Sequence, residues 1–330
     1  MRRVRVRLFF TLRSRIYWVL VFVATAPTLP NSLVAGDVAG AQRSTAAPAA
    51  LDKIQLLCLK AGGVHDAELI RMLQQRGVDF APTDDYVRDL SSAGTADDVI
   101  KALRSARIHK KAASQSEPQA LPELYSHLLR AAVLAQKQRL SIRAPHPNDG
   151  RDAEKEYRAA IKLSPQNASI HFAFAMSLSY GKRRDEAIAE DREVLRLDSG
   201  FAKAHEQIGG DLTLQAYQKL SWSRQPDADL LKQAVSELRE AVRQEPENCQ
   251  ARTDLAITLY SQKNLDASQA ELRQAIRLCP QEIYPRAVLA NVLEDKGDLD
   301  GAIAETREEI RLGAHKQDYL DALLRKKGNR

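Results

Sequence analysis

From residue 51 onward, apolar positions recur at helical spacing. Ile54, Leu57 and Cys58 share one face of a short helix, and Ala67, Ile70 and Leu73 share a face of a second that Gly77 stops. Pro82-Thr83 opens a third helix, which carries Tyr86, Val87 and Leu90 and ends at Gly94. Thr95 caps a fourth, with Asp98 three residues on and Val99, Ile100 and Leu103 as its apolar side. Residues 51–108 therefore read as a small four-helix module with a marginal core of its own. Residues 109–120 (HKKAASQSEPQA) are polar and read as a linker.

Beyond the linker the pattern has a period. Helix ends at Pro165, Pro246 and Pro280 place further ends at Ser199 and Ala314, a step of 34 residues with one 13-residue insertion between Ser199 and Pro246. Four residues before each marker stand Ile161, Leu195, Val242, Ile276 and Ile310; three before stand Lys162, Arg196, Arg243, Arg277 and Arg311. Twelve before stand Ala153, Ala187, Ala234, Ser268 and Ala302. Nine after the marker come Phe174, Ile208, Leu255 and Leu289, then Ala175, Gly209, Ala256 and Ala290, and thirteen after come Leu178, Leu212, Leu259 and Leu293. A small residue lets two helices approach, and the apolar position eight later lies on the same face. A cation in the last turn complements the negative helix end, and proline enforces the stop.

These columns make the chain resemble a tetratricopeptide repeat protein over roughly residues 121–330. The stretch RGVDFAPTDDYVRDLSSAG resembles a small helical module that precedes such arrays in bacterial envelope proteins, with no activity attached to it. The resemblance implies an all-α fold: a solenoid of helix-turn-helix units forming a right-handed superhelix, preceded by the module. The array of about five units spans 121–316, its first unit split by the loop IRAPHPNDG, and residues 317–330 close it with a capping helix. At the position six after the marker the family's aromatic is replaced by His171, His205, Arg252, Arg286 and Leu320, so looser outer packing is expected.

In such arrays the first helix of each unit lines a concave groove that holds a peptide or a helix. Mapped onto this chain, the groove positions are Phe172, Met176, Tyr180, Glu206, Gln207, Thr213, Thr253, Asp254, Ile257, Tyr260, Tyr284, Asn291 and Glu294. Phe172, Met176, Ile257 and Tyr260 equally suit packing between repeats. The Lys, Arg and Asn clamp with which some family members hold an acidic carboxyl terminus is not among them. The insertion KLSWSRQPDAD presents Trp222 beside Arg224 and Pro226, either as a contact anchor or as a local staple. Cys249 begins a first helix and Cys279 ends the following second helix. Those ends are neighbours in an antiparallel pair, so the two cysteines either form a disulfide or remain buried thiols.

Charge alters the picture only at the amino end. The formal net charge is +6, and Arg2, Arg3, Arg5, Arg7, Arg13 and Arg15 account for all of it. The balanced remainder carries no basic stripe, so no nucleic-acid partner and no DNA-reading role for the module are expected. Ile16 to Ala26 is an uncharged apolar run of eleven residues, spanning roughly 16 Å against a ~30 Å hydrocarbon core. Residues 1–41 therefore read as a signal peptide or an amino-terminal anchor with a small-residue tail, the only membrane contact being residues 16–26 if uncleaved. The arginines keep that end cytoplasmic and place the bulk outside. Seven scattered histidines without metal spacing, and the absence of HExxH, phosphate-loop or GxSxG motifs, point to no metal, no cofactor and no catalysis. The expectation is an exported, non-catalytic scaffold for protein or peptide binding, periplasmic or tethered to the inner membrane; the alternative is an accessory or regulatory subunit of an envelope enzyme or secretion complex.

Overall fold

The computed structural model describes residues 49–109, 121–140, 149–218 and 226–328. The leader, most of the linker, most of the loop IRAPHPNDG, and Trp222 with Arg224 lie outside them. Among the described residues there are fifteen helices and no strand beyond two isolated bridges, Leu51 to Val78 and Val78 to Ile108. No helix among them is long and apolar enough to cross a membrane.

The module comprises α1 (Lys53–Ala61), α2 (Asp66–Arg76), α3 (Asp84–Ser92) and α4 (Asp97–Ser105). Asp52 and Gln55 form a reciprocal capping box on α1, and Thr83 caps α3 by accepting from the Tyr86 amide. Thr95 does not cap α4 as the sequence suggested. The N-cap is Ala96, without a side-chain bond, and the Thr95 hydroxyl is buried without a partner.

Helix pairs follow: α5 (Leu121–Leu140) with α6 (Asp149–Leu163), α7 (Ala168–Tyr180) with α8 (Arg184–Leu197), and α9 (Ala202–Gln218) with α10 (Ala228–Gln244). Then come α11 (Cys249–Ser261) with α12 (Leu265–Leu278), α13 (Ile283–Lys296) with α14 (Leu299–Arg311), and the closing α15 (Gln317–Gly328). Each second helix also packs on the next first helix. The columns hold in three dimensions. Ala153, Ala187, Ala234, Ser268 and Ala302 are all fully buried, as are Phe174, Ile208, Leu255 and Leu289. Ile161, Leu195, Val242, Ile276 and Ile310 occupy equivalent half-buried positions. The small column works by close approach: a Cβ on Gly209 would sit 2.5 Å from Cγ of Leu238, and Ser268 donates to the Ala256 carbonyl at 2.7 Å.

The turn inside three pairs needs a left-handed residue, at Lys182 (φ 62°), Lys263 (φ 62°) and Gly297 (φ 81°). Glycine takes that conformation freely, whereas each lysine costs about 1–2 kcal/mol. Cys249 and Cys279 are joined as a disulfide, with Cα atoms 6.2 Å apart, from the start of α11 to the end of α12. Cys58 is a buried free thiol.

The outer packing is not loose. Glu156, Glu190, Glu237, Glu271 and Glu305, each nine residues before a marker, receive His127 (2.5 Å), His171 (2.7 Å), His205 (2.7 Å), Arg252 (2.7 Å) and Arg286 (2.9 Å). His171, Arg252 and Arg286 also donate to the marker carbonyls of Pro165, Pro246 and Pro280. A hydrogen bond to this glutamate thus replaces the family's aromatic at His171, His205, Arg252 and Arg286, while Leu320 is buried as an apolar side chain. Both ring nitrogens of His171 face acceptors, an arrangement that suits the doubly protonated ring, and the bond to Glu190 raises its pKa.

Candidate binding face

The first helices α5, α7, α9, α11 and α13 meet one another in series and form one face of the array. The predicted groove residues lie on these helices, but the structure buries most of them. Phe172, Met176, Glu206, Gln207, Thr213, Thr253, Ile257 and Tyr260 are buried; Tyr180, Asp254, Asn291 and Glu294 are half-buried; Tyr284 is 39% exposed.

The expectation of exposure fails for Phe172, Met176 and Glu206 because the module occupies that part of the face. α1 packs directly on α5 and α7, and its apolar side chains share one core with theirs. Gly62 lies so close to Phe172 that an added Cβ would come 2.6 Å from Cε1, and the other side of the Phe172 ring meets Phe201 at 5.2 Å. Met176 belongs to the same core. Tyr180 stacks under the Arg139 guanidinium, which donates to the Ala61 carbonyl.

α2 reaches further. Lys203, 4% exposed, donates to Glu68 of α2 and Glu206 of α9, each at 2.8 Å. Asn248 donates to Glu206 at 3.2 Å, and Arg71 donates to the Glu247 carbonyl at 2.7 Å. Nothing in the local sequence marks this cluster, since Glu68 and Lys203 stand 135 residues apart.

Other predicted positions are buried with hydrogen bonds, between neighbouring first helices for Gln207, Thr213 and Tyr260 and within α11 for Thr253. Gln207 reaches Ser179 at 3.5 Å, and Thr213 pairs with Thr258 at 2.9 Å. Thr253 turns back to the Cys249 carbonyl, and Tyr260 donates to Asp295 at 2.8 Å. The uncovered remainder lies on α11 and α13. Gln250 there holds Asp254 at 3.0 Å, and the Tyr319 hydroxyl of α15 lies within hydrogen-bonding distance of Glu294 (2.8 Å) and Asn291 (3.1 Å). Tyr284 has its pKa raised, first by burial of its hydroxyl and then by the charge of Asp254. These groups offer hydrogen bonds and aromatic surface. Among the described residues no three His, Cys, Asp or Glu side chains converge to hold a metal.

No protein-family model matches the chain, and no curated protein matches it. Among solved structures it is similar to a thermophilic tetratricopeptide protein of Thermus thermophilus, at 18% identity and a TM-score of 0.46, over 58% of this chain and 98% of that one. It is also similar to MamA of Desulfovibrio magneticus, at 17% identity and a TM-score of 0.43, over 56% and 94%. A third is YrrB, a tetratricopeptide protein with an unusual peptide-binding site, at 14% identity and a TM-score of 0.43, over 64% and 100%. With helix pairs recurring every 34 residues apart from one 13-residue insertion, and equivalent positions equally buried, the fold is that of a tetratricopeptide repeat array.

Proposed function

We propose that this protein is a non-catalytic scaffold that holds a protein or peptide segment on the first-helix face of α11 and α13. The observation that carries the reading is the division of that face. The module covers α7 and the start of α9, while Tyr284, Asp254, Asn291 and Glu294 remain accessible beside the buried Ile257. An exposed aromatic ring among half-buried polar groups suits an anchor residue with hydrogen bonds around it. Export to the cell envelope is part of the proposal. It is supported by the arginine-rich start with its short apolar run, and by a cysteine pair that an oxidising compartment would keep joined.

A photoreactive residue placed at Tyr284, at Tyr180 and at the exposed Ser236 in intact cells tests the binding face. Tyr284 should capture a defined partner in saturable fashion, and Tyr180 only this chain's own module. Equal capture of the same proteins at Ser236 defeats the assignment. Amino-terminal sequencing of the protein from the envelope fraction tests export; a chain confined to the cytosol counts against it.

A further inference from the structure

Apolar contact continues across α8 and α9: Ile188 of α8 packs with Ile208 and Leu212 of α9, and Leu195 of α8 lies against both neighbouring clusters. One cluster runs from the module through α5 to α8 and reaches α9 only at Ala204, and the next comprises Ile188, Ile208, Leu212 and Ala234. At this joint stand two carboxyl groups, Asp191 of α8 and Asp211 of α9, with exposures of 0% and 1%. Eight residues before their markers, the other repeats place Tyr157, Leu238, Leu272 and Thr306 where this one places Asp191. Twelve after, Ser177, Thr258 and Val292 stand where Asp211 does.

Neither oxygen of Asp191 has a hydrogen-bond partner. Asp211 accepts from the Ser179 hydroxyl at 2.7 Å and lies 3.6 Å from Nε of Arg184, but its second oxygen has none. An ionised carboxylate so enclosed costs several kcal/mol, on the order of what drives a buried acid to keep its proton. Burial pushes Asp211 up to about 6. Burial, then the charges of Asp211 and Glu190, push Asp191 well above the ordinary carboxylate range. The hydrogen bond from Ser179, the charge of Arg184 and a hydrogen bond from Gln207 oppose the rise at Asp211. Around them His171 bonds to Glu190, His205 to Glu237, and Lys203 to Glu68 and Glu206, while Nε and Nη1 of Arg184 are buried without a hydrogen-bond partner.

We propose that the α8–α9 joint is a proton-held clasp: protonated Asp191 and Asp211 are tolerated in its interior, and loss of their protons places charge on enclosed, unpartnered oxygens and loosens the array between its module-bearing half and the rest. The sign follows from the raised folded pKa values. Their contribution to stability is complete below the unfolded carboxylate value of about 4 and is lost as pH rises through the folded values. His171, whose pKa is also raised, acts in the same direction from α7, so the test must separate it from Asp191.

Amide hydrogen exchange of the full chain at pH 5.5 and 8.5, corrected for intrinsic rates, makes that separation. In the wild type, peptides of α8 and α9 should lose protection at least tenfold more than those of α11 and α12. Asp191→Leu, the residue of the equivalent positions Leu238 and Leu272, should remove that excess, while His171→Gln should retain most of it. Asp191→Asn, which keeps the shape without the charge, replaces the leucine variant if the latter fails to fold. A wild type with uniform loss, or a folded Asp191 variant with the full excess, overturns the proposal.

Discussion

Lys203→Met is the substitution the structure ranks as most damaging to the seating of the module. One ammonium group serves two carboxylates at 2.8 Å each, and Lys203, Glu68 and Glu206 are all buried. Without it, Glu68 and Glu206 share a pocket with Glu245, whose own pKa is raised, first by burial and then by the charge of Glu68. Breaking a buried ion pair by removing one partner costs about 3–5 kcal/mol. Glu68→Gln is the opposite case: the Lys203–Glu206 pair survives, the amide oxygen can still accept, and about 1–2 kcal/mol is expected. At about 1.4 kcal/mol per tenfold, the methionine variant should lower exchange protection of α2 and the start of α9 by a hundredfold or more, and the glutamine variant by about tenfold. Protection of α1 should change less, because α1 sits on α5 and α7 through apolar contacts rather than ions. If the two variants lose protection equally, the electrostatic account of the module's seat is wrong.

Gly209→Ala should destabilise by about 1–3 kcal/mol in urea, since its Cβ would overlap Leu238; an unchanged midpoint would mean that α9 and α10 separate freely. Lys182→Gly should stabilise by up to about 1 kcal/mol through relief of the left-handed turn, and a loss of stability would contradict that φ. His171 has a raised pKa, so its pairing with Glu190 stabilises below the ordinary histidine value and fades as pH rises through the folded one. His171→Gln should flatten urea-unfolding stability across that range, whereas Arg252, always charged, should confer no such dependence. Joining Cys249 to Cys279 closes a step of 30 residues, so reduction should cost about 3–4 kcal/mol of unfolding stability. Non-reducing peptide mapping should find the linked pair, and free alkylation of both thiols in the purified oxidised protein would refute it.

The regularities that survived folding are local ones. Alanine at 153, 187, 234 and 302 with serine at 268 could be read as a contact column because a small residue between two larger ones has few other uses in an amphipathic helix. The column of Glu156, Glu190, Glu237, Glu271 and Glu305 is equally regular in the sequence. Its meaning came only from the partners opposite it, which turned an expected weakness into a ladder of hydrogen-bonded side-chain pairs. Asp191 was visible as the one charged residue in a column that otherwise holds Tyr157, Leu238, Leu272 and Thr306, and a charge in a packed column is the signal that finds such a site.

Periodicity by itself determined that the chain forms paired helices, where most of them end, and which sides face inward, because those properties depend on neighbours within a few turns. Which part of the first-helix face remains open was decided by the tertiary structure alone. Phe172, Met176 and Glu206 have the spacing of groove residues, and the placement of α1 and α2 on that face, together with contacts inside the array, encloses them. Contacts between Glu68 and Lys203, or between Gly62 and Phe172, join segments more than a hundred residues apart, and no local pattern encodes a partner at that distance.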